Sequence, residues 1–333
     1  MKTAFITGIS GQDGSYLCDL LLEKGYTVHG TTRSSRALAN GNLKQHLANP
    51  QIYNSRLFLH VLDVFNDAGL EGLIGAIAPH EIYHLSGQSS PRVSFENPEE
   101  TLQSNTTTTL RMLEANRRLP QPARFFHASS CEVFGDTLIS PQDETTPLNP
   151  VSPYGASKSF AQQLVTIYRN VYGLPCGSGI LFNHESPRRS PQFLTKKVCT
   201  AVARIKTGQQ ERLQLGNLSA RRDWGWAPEY VEGFWQMLQH DTMDDYIFGT
   251  GQTHSVEEFV DTAFSHAGLH WKDHVDYQES LLRKVELAPL CGNSKKIQTT
   301  LGWCAQSAFP TVVARLVDHE LEHCDKSSTV VSR

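Results

Sequence analysis

Four side chains in the middle of the chain have types and spacing that could do chemistry. Ser130 and Glu132 lie two residues apart, Tyr154 follows 22 residues after Glu132, and Lys158 comes four residues later. Tyr154 and Lys158 fall at i, i+4 in a segment that reads as helix, so they share a face. A tyrosine is a poor base at neutral pH, because its reference pKa is about 10. A cation one turn away, with a positively charged nicotinamide, would favour the phenolate. Tyr154 could then take a proton from a hydroxyl while a hydride leaves the same carbon. Ser130 would hydrogen-bond that oxygen, and Lys158 would also hold the nicotinamide ribose. Simple hydride transfer does not need Glu132. A carboxylate there could remove a proton from carbon next to a new ketone and help expel a hydroxyl. The plain alternatives are a Glu132 that caps nearby backbone N–H groups and an ordinary helical Tyr/Lys pair.

Such a set needs elements to hold it. Arg124–Ala128 is an apolar run that reads as a buried strand ending just before Ser130, and open α/β sheets bind ligands at the carboxyl ends of strands. Upstream, the strand Thr3–Thr7 runs into Gly8-Ile9-Ser10-Gly11-Gln12-Asp13-Gly14, and Tyr16, Leu17, Leu20 and Leu21 then mark an amphipathic helix. Gly8, Gly11 and Gly14 let the backbone approach a pyrophosphate at a helix N-terminus. A strand before the glycines and a helix after them make the pattern specific. A second strand, 26–30, ends in Thr31-Thr32-Arg33. An NAD site usually has a carboxylate here, whereas Arg33 flanked by hydroxyls suits a 2′-phosphate, so the cofactor expected is NADP. A solvated arginine is the alternative. Asp63, ending the strand 57–62, is placed for the adenine edge. The strand 82–85 ends in small residues that would let a cofactor pass close.

The alternation of β and α with near-continuous apolar strands predicts a Rossmann-type, doubly wound parallel sheet. Residues 1–182 read as its domain, with a return to it at about 222–250. Residues 183–333 read as a smaller mixed α/β substrate domain. One helix is expected from about Glu99 to Arg118, one over Pro153–Gly173, and a last one at Val313, Leu316, Val317 and Leu321. Residues 325–333 read as a frayed tail. The polar segment 35–56 could hold a short helix that meets a neighbouring subunit. Lys196, Lys197, Arg221, Arg222 and Arg283 lie where the alternation breaks down; scattered basic residues are usually solvated, but a cap over an anionic substrate is the other reading. His84 and His127 read as satisfied core histidines.

The net charge of −4 and the absence of any Lys/Arg run give no nucleic-acid or membrane surface. Apolar runs fall well short of a membrane span, and Met1-Lys2-Thr3 leads directly into a strand with no signal peptide. Seven scattered cysteines, with no C-x-x-C pair, read as reduced thiols. No His/Cys/carboxylate cluster has metal-ligand spacing. The expectation is a cytoplasmic enzyme.

At these residues the chain resembles the extended short-chain dehydrogenase/reductase superfamily and, within it, the GDP-mannose 4,6-dehydratase family. The resemblance runs from about Thr3 to Trp303 through residues 6–17, Val93–Glu96 and Ser152–Gly155. Its narrowest blocks are Gly179–Arg189 and Arg221–Gly225. It implies a tightly held, recycled NADP, a GDP-sugar as partner, and assembly as a homodimer or homotetramer. By matching motif, Ser130, Glu132, Tyr154 and Lys158 are the catalytic set. Gly8, Gly11, Gln12, Asp13, Gly14, Arg33, Asp63, Leu85, Gln88, His184 and Arg189, with Tyr154 and Lys158, face the cofactor. Ser89, Ser90, Asn183, Lys197, Arg222, Arg283 and Glu286 hold the nucleotide-sugar. Departures are Ser86-Gly87 for Ala-Ala, Ser90-Pro91 for His-Val, Ser130 for Thr, and Lys196 for Arg, which gives up bidentate phosphate geometry. A reductase or epimerase of the same superfamily is the second reading, and a non-catalytic NADP-sensing protein the third.

Overall fold

The computed structural model describes residues 1–33, 41–65, 69–282, 285 and 288–330, the last six as helical backbone only. Alternation along the strands decides the architecture. In β1 (Thr3–Thr7), Ala4 and Ile6 join one apolar cluster while Phe5 joins another. In β5 (Arg124–Ala128), Phe126 and Phe125 divide in the same way. Successive strand side chains point to opposite faces, so a sheet built from such strands needs cover on both sides.

Seven strands supply that sheet, in the order β11-β6-β5-β4-β1-β2-β3. The others are β2 (Thr27–Thr32), β3 (Leu57–Val61), β4 (Glu81–His84), β6 (Cys176–Leu181) and β11 (Tyr246–Phe248). Every pairing is parallel. Among the described residues the α-helices before the last two are α1 (Gln12–Glu23), α2 (Lys44–Leu47), α3 (Gly69–Ile77), α4 (Pro91–Glu96), α5 (Pro98–Leu102), α6 (Thr108–Arg117), α7 (Pro153–Tyr172), α8 (Leu194–Lys206), α9 (Ala227–Gln239) and α10 (Val256–His266). On one face α1 and α9 pack through Leu17, Leu21, Phe234 and Leu238. On the other, α3, α6 and α7 contribute Ile74, Met112 and Val165. Phe126 is fully buried, with Phe234 stacked at 4.5 Å and Phe248 edge-on at 6.5 Å. Truncation of such a ring costs about 3–5 kcal/mol.

A further apolar cluster joins α8, α10 and the last helix, α12 (Phe309–Val330), which follows α11 (Lys295–Leu301). Beside them lie three two-stranded sheets: β7 (Asn183–Glu185) with β10 (Trp224–Trp226), β8 (Leu213–Leu215) with β13 (Val275–Tyr277), and β9 (Arg221–Arg222) with β12 (His254–Ser255).

Two features differ from the sequence expectation. The backbone of α12 stays helical from Asp325 to Val330, where a frayed tail was expected. The helix expected over 99–118 runs unbroken from Pro98 to Arg117 but carries an unforeseen π-turn at Gln103–Thr107, between α5 and α6. One added residue per turn leaves the apolar spacing of the flanks intact, so periodicity does not reveal it. Residues 35–40 of the polar segment lie outside the described residues. Beyond them, Asn42 Nδ2 donates to Ser10 O at 3.2 Å, and His46 meets Asp19 at 2.5 Å.

Candidate functional site

The strand order reverses between β1 and β4, and the larger of two cavities opens beyond those strand ends. The larger has a volume of about 450 Å³ and is lined by Gly8, Gly11, Gln12, Asp13 and Gly14 with Arg33, Leu85, Ser89 and Arg189. Gly8 is left-handed at φ 72°. A β-carbon on Gly14 would lie 2.4 Å from Gly8 O and 2.7 Å from Ile9 Cα, so only glycine lets α1 start this close under the loop. The free N–H groups and positive end of α1 then face a cradle that fits a diphosphate. Arg33 stands at the far end, its guanidinium 5.4 Å from the Phe65 ring.

Asp13 and His184 meet at the start of α1. His184 Nε2 lies 3.0 Å from Asp13 Oδ2, and Nδ1 lies 2.8 Å from Phe182 O. Burial opposes the charge on His184, but the Asp13 carboxylate outweighs it and holds the imidazole above its ordinary value. Burial likewise opposes the charge on Asp13, and His184 overrides it, holding the carboxyl low. Gln12 Nε2 donates to His184 O, and Ser186 donates to Gln12 Oε1 at 2.8 Å, which ties α1 to β7. His184 therefore sits behind Asp13 and does not itself line the cavity. Asp63 Oδ1 accepts the Phe65 N–H at 3.1 Å between Leu62 and Val64, both of which line it. Gln88 turns its amide onto Ser90, with contacts of 2.7 Å to both N and O, and does not line the cavity either.

The sequence context places Tyr154 and Lys158 in the first two turns of α7. Ser152 caps that helix by accepting the Gly155 N–H at 3.0 Å, and Pro153 opens it. Tyr154 is buried, and the Ser130 hydroxyl is near enough to its phenol to lower it. Ser130 in turn accepts the Glu132 N–H at 3.3 Å and so caps the 3₁₀ turn Cys131–Val133. Lys158 is buried one turn on and donates to Ala128 O at 2.8 Å. Burial pushes the Tyr154 phenol far up. Ser130 and Arg189 pull it back, and the Glu132 charge pushes it further. The expected lowering by Lys158 is thus not what governs Tyr154, because the ammonium is turned to the strand end. Burial brings Lys158 down to about 8.

Glu132 is half-buried and lines the second cavity, of about 280 Å³. Around it stand Arg92, Phe95 and Glu96 of α4, Val151 and Ser152, and Leu281 and Leu282. Of the residues expected at the nucleotide-sugar, Ser89 lines the larger cavity with the glycine loop. Ser90 caps α4, its hydroxyl accepting Val93 N–H at 3.4 Å. Asn183, Lys197 and Arg222 line neither of these cavities. Lys197 donates to Gln214 O at 2.8 Å, and Arg222 is buried with its guanidinium on Arg221 O. Arg283 and Glu286 lie outside the described residues. Lys196 meets Glu320 of α12 at 2.5 Å and Pro187 O at 2.8 Å, and Arg221 meets Thr253 O at 2.6 Å. Among the described residues, no cluster of three or more His, Cys, Asp or Glu could hold a metal.

The sequence reading did not pair Arg92 with Glu96, although their i, i+4 spacing puts both on one face, 3.6 Å apart. Asn105 sits in the π-turn, and its Nδ2 donates to Gln88 O at 3.1 Å and to Ser157 Oγ at 2.9 Å. His127 departs from the expected satisfied core histidine: it is buried, and neither ring nitrogen has a hydrogen-bond partner among the described residues.

Glycine loop, parallel sheet and the Ser130/Tyr154/Lys158 set together define a doubly wound α/β protein of the short-chain dehydrogenase/reductase class. The family model described as GDP-mannose 4,6 dehydratase matches residues 5–316. The chain is 44% identical over 335 residues to GDP-mannose 4,6 dehydratase 2 of Arabidopsis thaliana, covering 99% of this chain and 90% of that protein. It is 41% identical over 341 residues to GDP-mannose 4,6 dehydratase of Homo sapiens, covering 96% and 92%. The chain belongs to the GDP-mannose 4,6 dehydratase family. Its fold is shared with UDP-glucose 4-epimerase of Thermotoga maritima in complex with UDP-glucose, at TM-score 0.83 and 20% identity over 96% of this chain and 99% of that one.

Proposed function

We propose that the protein is an NADP-dependent GDP-mannose 4,6-dehydratase, a hydro-lyase that yields the GDP-4-keto-6-deoxy sugar. The observation that carries the reading is a family match along residues 5–316 in a chain whose Glu132 lines a cavity and whose Ser130 lies near the buried Tyr154 phenol. A bound dinucleotide would supply a hydride acceptor for carbon 4 and, once reduced, the hydride donor for carbon 6. Tyr154, once the positive charge of a bound nicotinamide offsets its burial, would take the proton of the C4 hydroxyl, and Ser130 would hold the same oxygen. Glu132 removes the C5 proton, made acidic by the new C4 ketone, and passes a proton to the C6 hydroxyl as it leaves as water. Lys158, fixed at the strand end by its bond to Ala128 O, would hold the nicotinamide ribose.

Arg33 supports NADP over NAD, since a guanidinium at this strand end can hold a 2′-phosphate. Lys197 lines neither cavity, but burial and the charge of Arg92, which lines the smaller one, hold its ammonium low, and this supports a sugar diphosphate held near both. We assign Asn183, Arg222, Arg283 and Glu286 to the rest of the nucleotide. A homodimer or homotetramer is supported by the apolar outer face of α7, where Phe160, Ile167, Val171 and Tyr172 are about half exposed or more. A cytoplasmic setting agrees with seven free cysteines, and no helix among the described residues is long and apolar enough to cross a membrane.

The purified protein is incubated with GDP-mannose without added reductant, and the sugar is followed by mass. Loss of one water with no net NADPH use is expected. Unchanged mass, with NADPH consumed only when a 4-keto sugar is supplied, would give the reductase reading instead.

A further inference from the structure

His84 ends β4 in the middle of the sheet, buried, and has no part in the chemistry above. Its hydrogen bonds fix its tautomer. Thr7 Oγ1 accepts N–H groups from both Leu85 and Ser86, each at 3.1 Å. A hydroxyl oxygen has two lone pairs and one proton, so the Thr7 O–H must donate to His84 Nδ1, 2.9 Å away. His84 Nε2 then carries the hydrogen and donates to Thr109 Oγ1 at 3.1 Å. Thr109 passes its own proton to Asn105 O at 2.6 Å. Every donor in this chain points the same way, from the end of β1 to the π-turn.

The two ends of the chain hold different walls. Thr7 fixes the backbone of Leu85 and Ser86, which line the larger cavity. Asn105 fixes Gln88 O and, through Ser157 Oγ, the Tyr154 carbonyl, which accepts from Ser157 at 2.7 Å. Gly87 lies between them, and a β-carbon there would be 2.3 Å from Asn105 Oδ1.

We propose that His84 is a positioning residue that locks the dinucleotide-facing wall to the Tyr154 helix through its Nε2–H tautomer. The proposal rests on the dinucleotide reading above. A protonated ring would present Nδ1–H to a Thr7 oxygen with no lone pair left, and burial holds His84 neutral, at about 3. The link carries no proton during turnover; it sets distances.

Two measurements test this on the full chain. In ¹⁵N-histidine spectra of the unsubstituted protein, the His84 signal, assigned by its loss in His84→Asn, should show a bare Nδ1 and a protonated Nε2. An Nδ1–H tautomer overturns the proposal whatever the kinetics of the substituted proteins. The second measurement separates the two arms. His84→Leu should weaken NADPH affinity and lower kcat by about tenfold each, the factor one buried hydrogen bond commonly carries. An asparagine amide reaches the place of Nδ1, so His84→Asn should recover NADPH affinity. A glutamine amide reaches the place of Nε2, so His84→Gln should recover kcat. If His84→Leu stays within twofold of the unsubstituted protein, or the two amides do no better than leucine, His84 is packing and no more. Tautomer and NADPH affinity are read without GDP-mannose, so an unsubstituted protein that binds NADPH but fails to turn over sinks the dehydratase reading alone.

Discussion

A β-carbon on Gly155 would stand 2.6 Å from the carbonyl oxygen of Glu132. The first turn of α7 and the turn that carries Glu132 are therefore in backbone contact, one residue from Tyr154.

Gly155→Ala forces this contact apart. Overpacking of about 1–3 kcal/mol outweighs a helix-propensity gain of at most about 1 kcal/mol, so the melting temperature should fall. Because misplacement by 1 Å can lower rate about 100-fold, kcat should drop more than stability suggests. Calorimetry and turnover on the same preparation check both, and an unchanged kcat would show that the contact does not set the spacing.

Glu132→Gln keeps shape and removes the base. Water loss should slow by about 10²–10⁴-fold, while NADPH binding stays within twofold, because Glu132 lines only the smaller cavity. Mass spectrometry of the sugar and a fluorescence titration read the two effects separately. Normal turnover would remove Glu132 from the mechanism.

Arg33→Ala deletes the guanidinium over Phe65. Loss of hydrogen bonds to a charged group costs about 1.5–3 kcal/mol, so NADPH affinity should fall about 10–100-fold and NADH affinity should barely move. Equal losses for both cofactors would contradict a 2′-phosphate role.

Lys158, at about 8 in the folded protein, gives a pH prediction with two signs. Activity that needs the ammonium should decline as pH rises through 8 in kcat/KM profiles. Stability moves the other way. A lysine whose folded pKa is depressed contributes stability that is present above its unfolded pKa of about 10.4 and lost as pH falls through 8. Compared with Lys158→Met, the unsubstituted protein should therefore gain up to about 3 kcal/mol between pH 8 and 10.5. A melting-temperature gap that is flat over that range would show that the amine is not desolvated.

The sheet was legible because each strand is an apolar run bounded by glycines or polar turns, and the Tyr154–Lys158 pair was legible because helical spacing survives without a structure. What periodicity could not carry was backbone detail. The π-turn at Gln103–Thr107 leaves the flanking pattern unchanged yet aims Asn105 at Gln88 and Ser157. Nor could motif matching show that Lys196 is drawn to Glu320, 124 positions away, or that Gln88 clasps its neighbour Ser90. Tyr154 shows a further limit: its proximity to Lys158 in sequence suggested a tuned phenol, whereas burial dominates.

The short strand β11 closes the large sheet by pairing with β6, although 67 residues separate Leu181 from Phe248. During synthesis at about 5–20 residues per second, the β6 edge therefore waits roughly 3–13 s for its partner. Throughout that interval a nascent chain offers a row of unpaired N–H and C=O groups, the kind of template on which strands from other chains can add. Three residues, Tyr246 to Phe248, thus decide when the emerging protein stops needing protection from its neighbours on the ribosome.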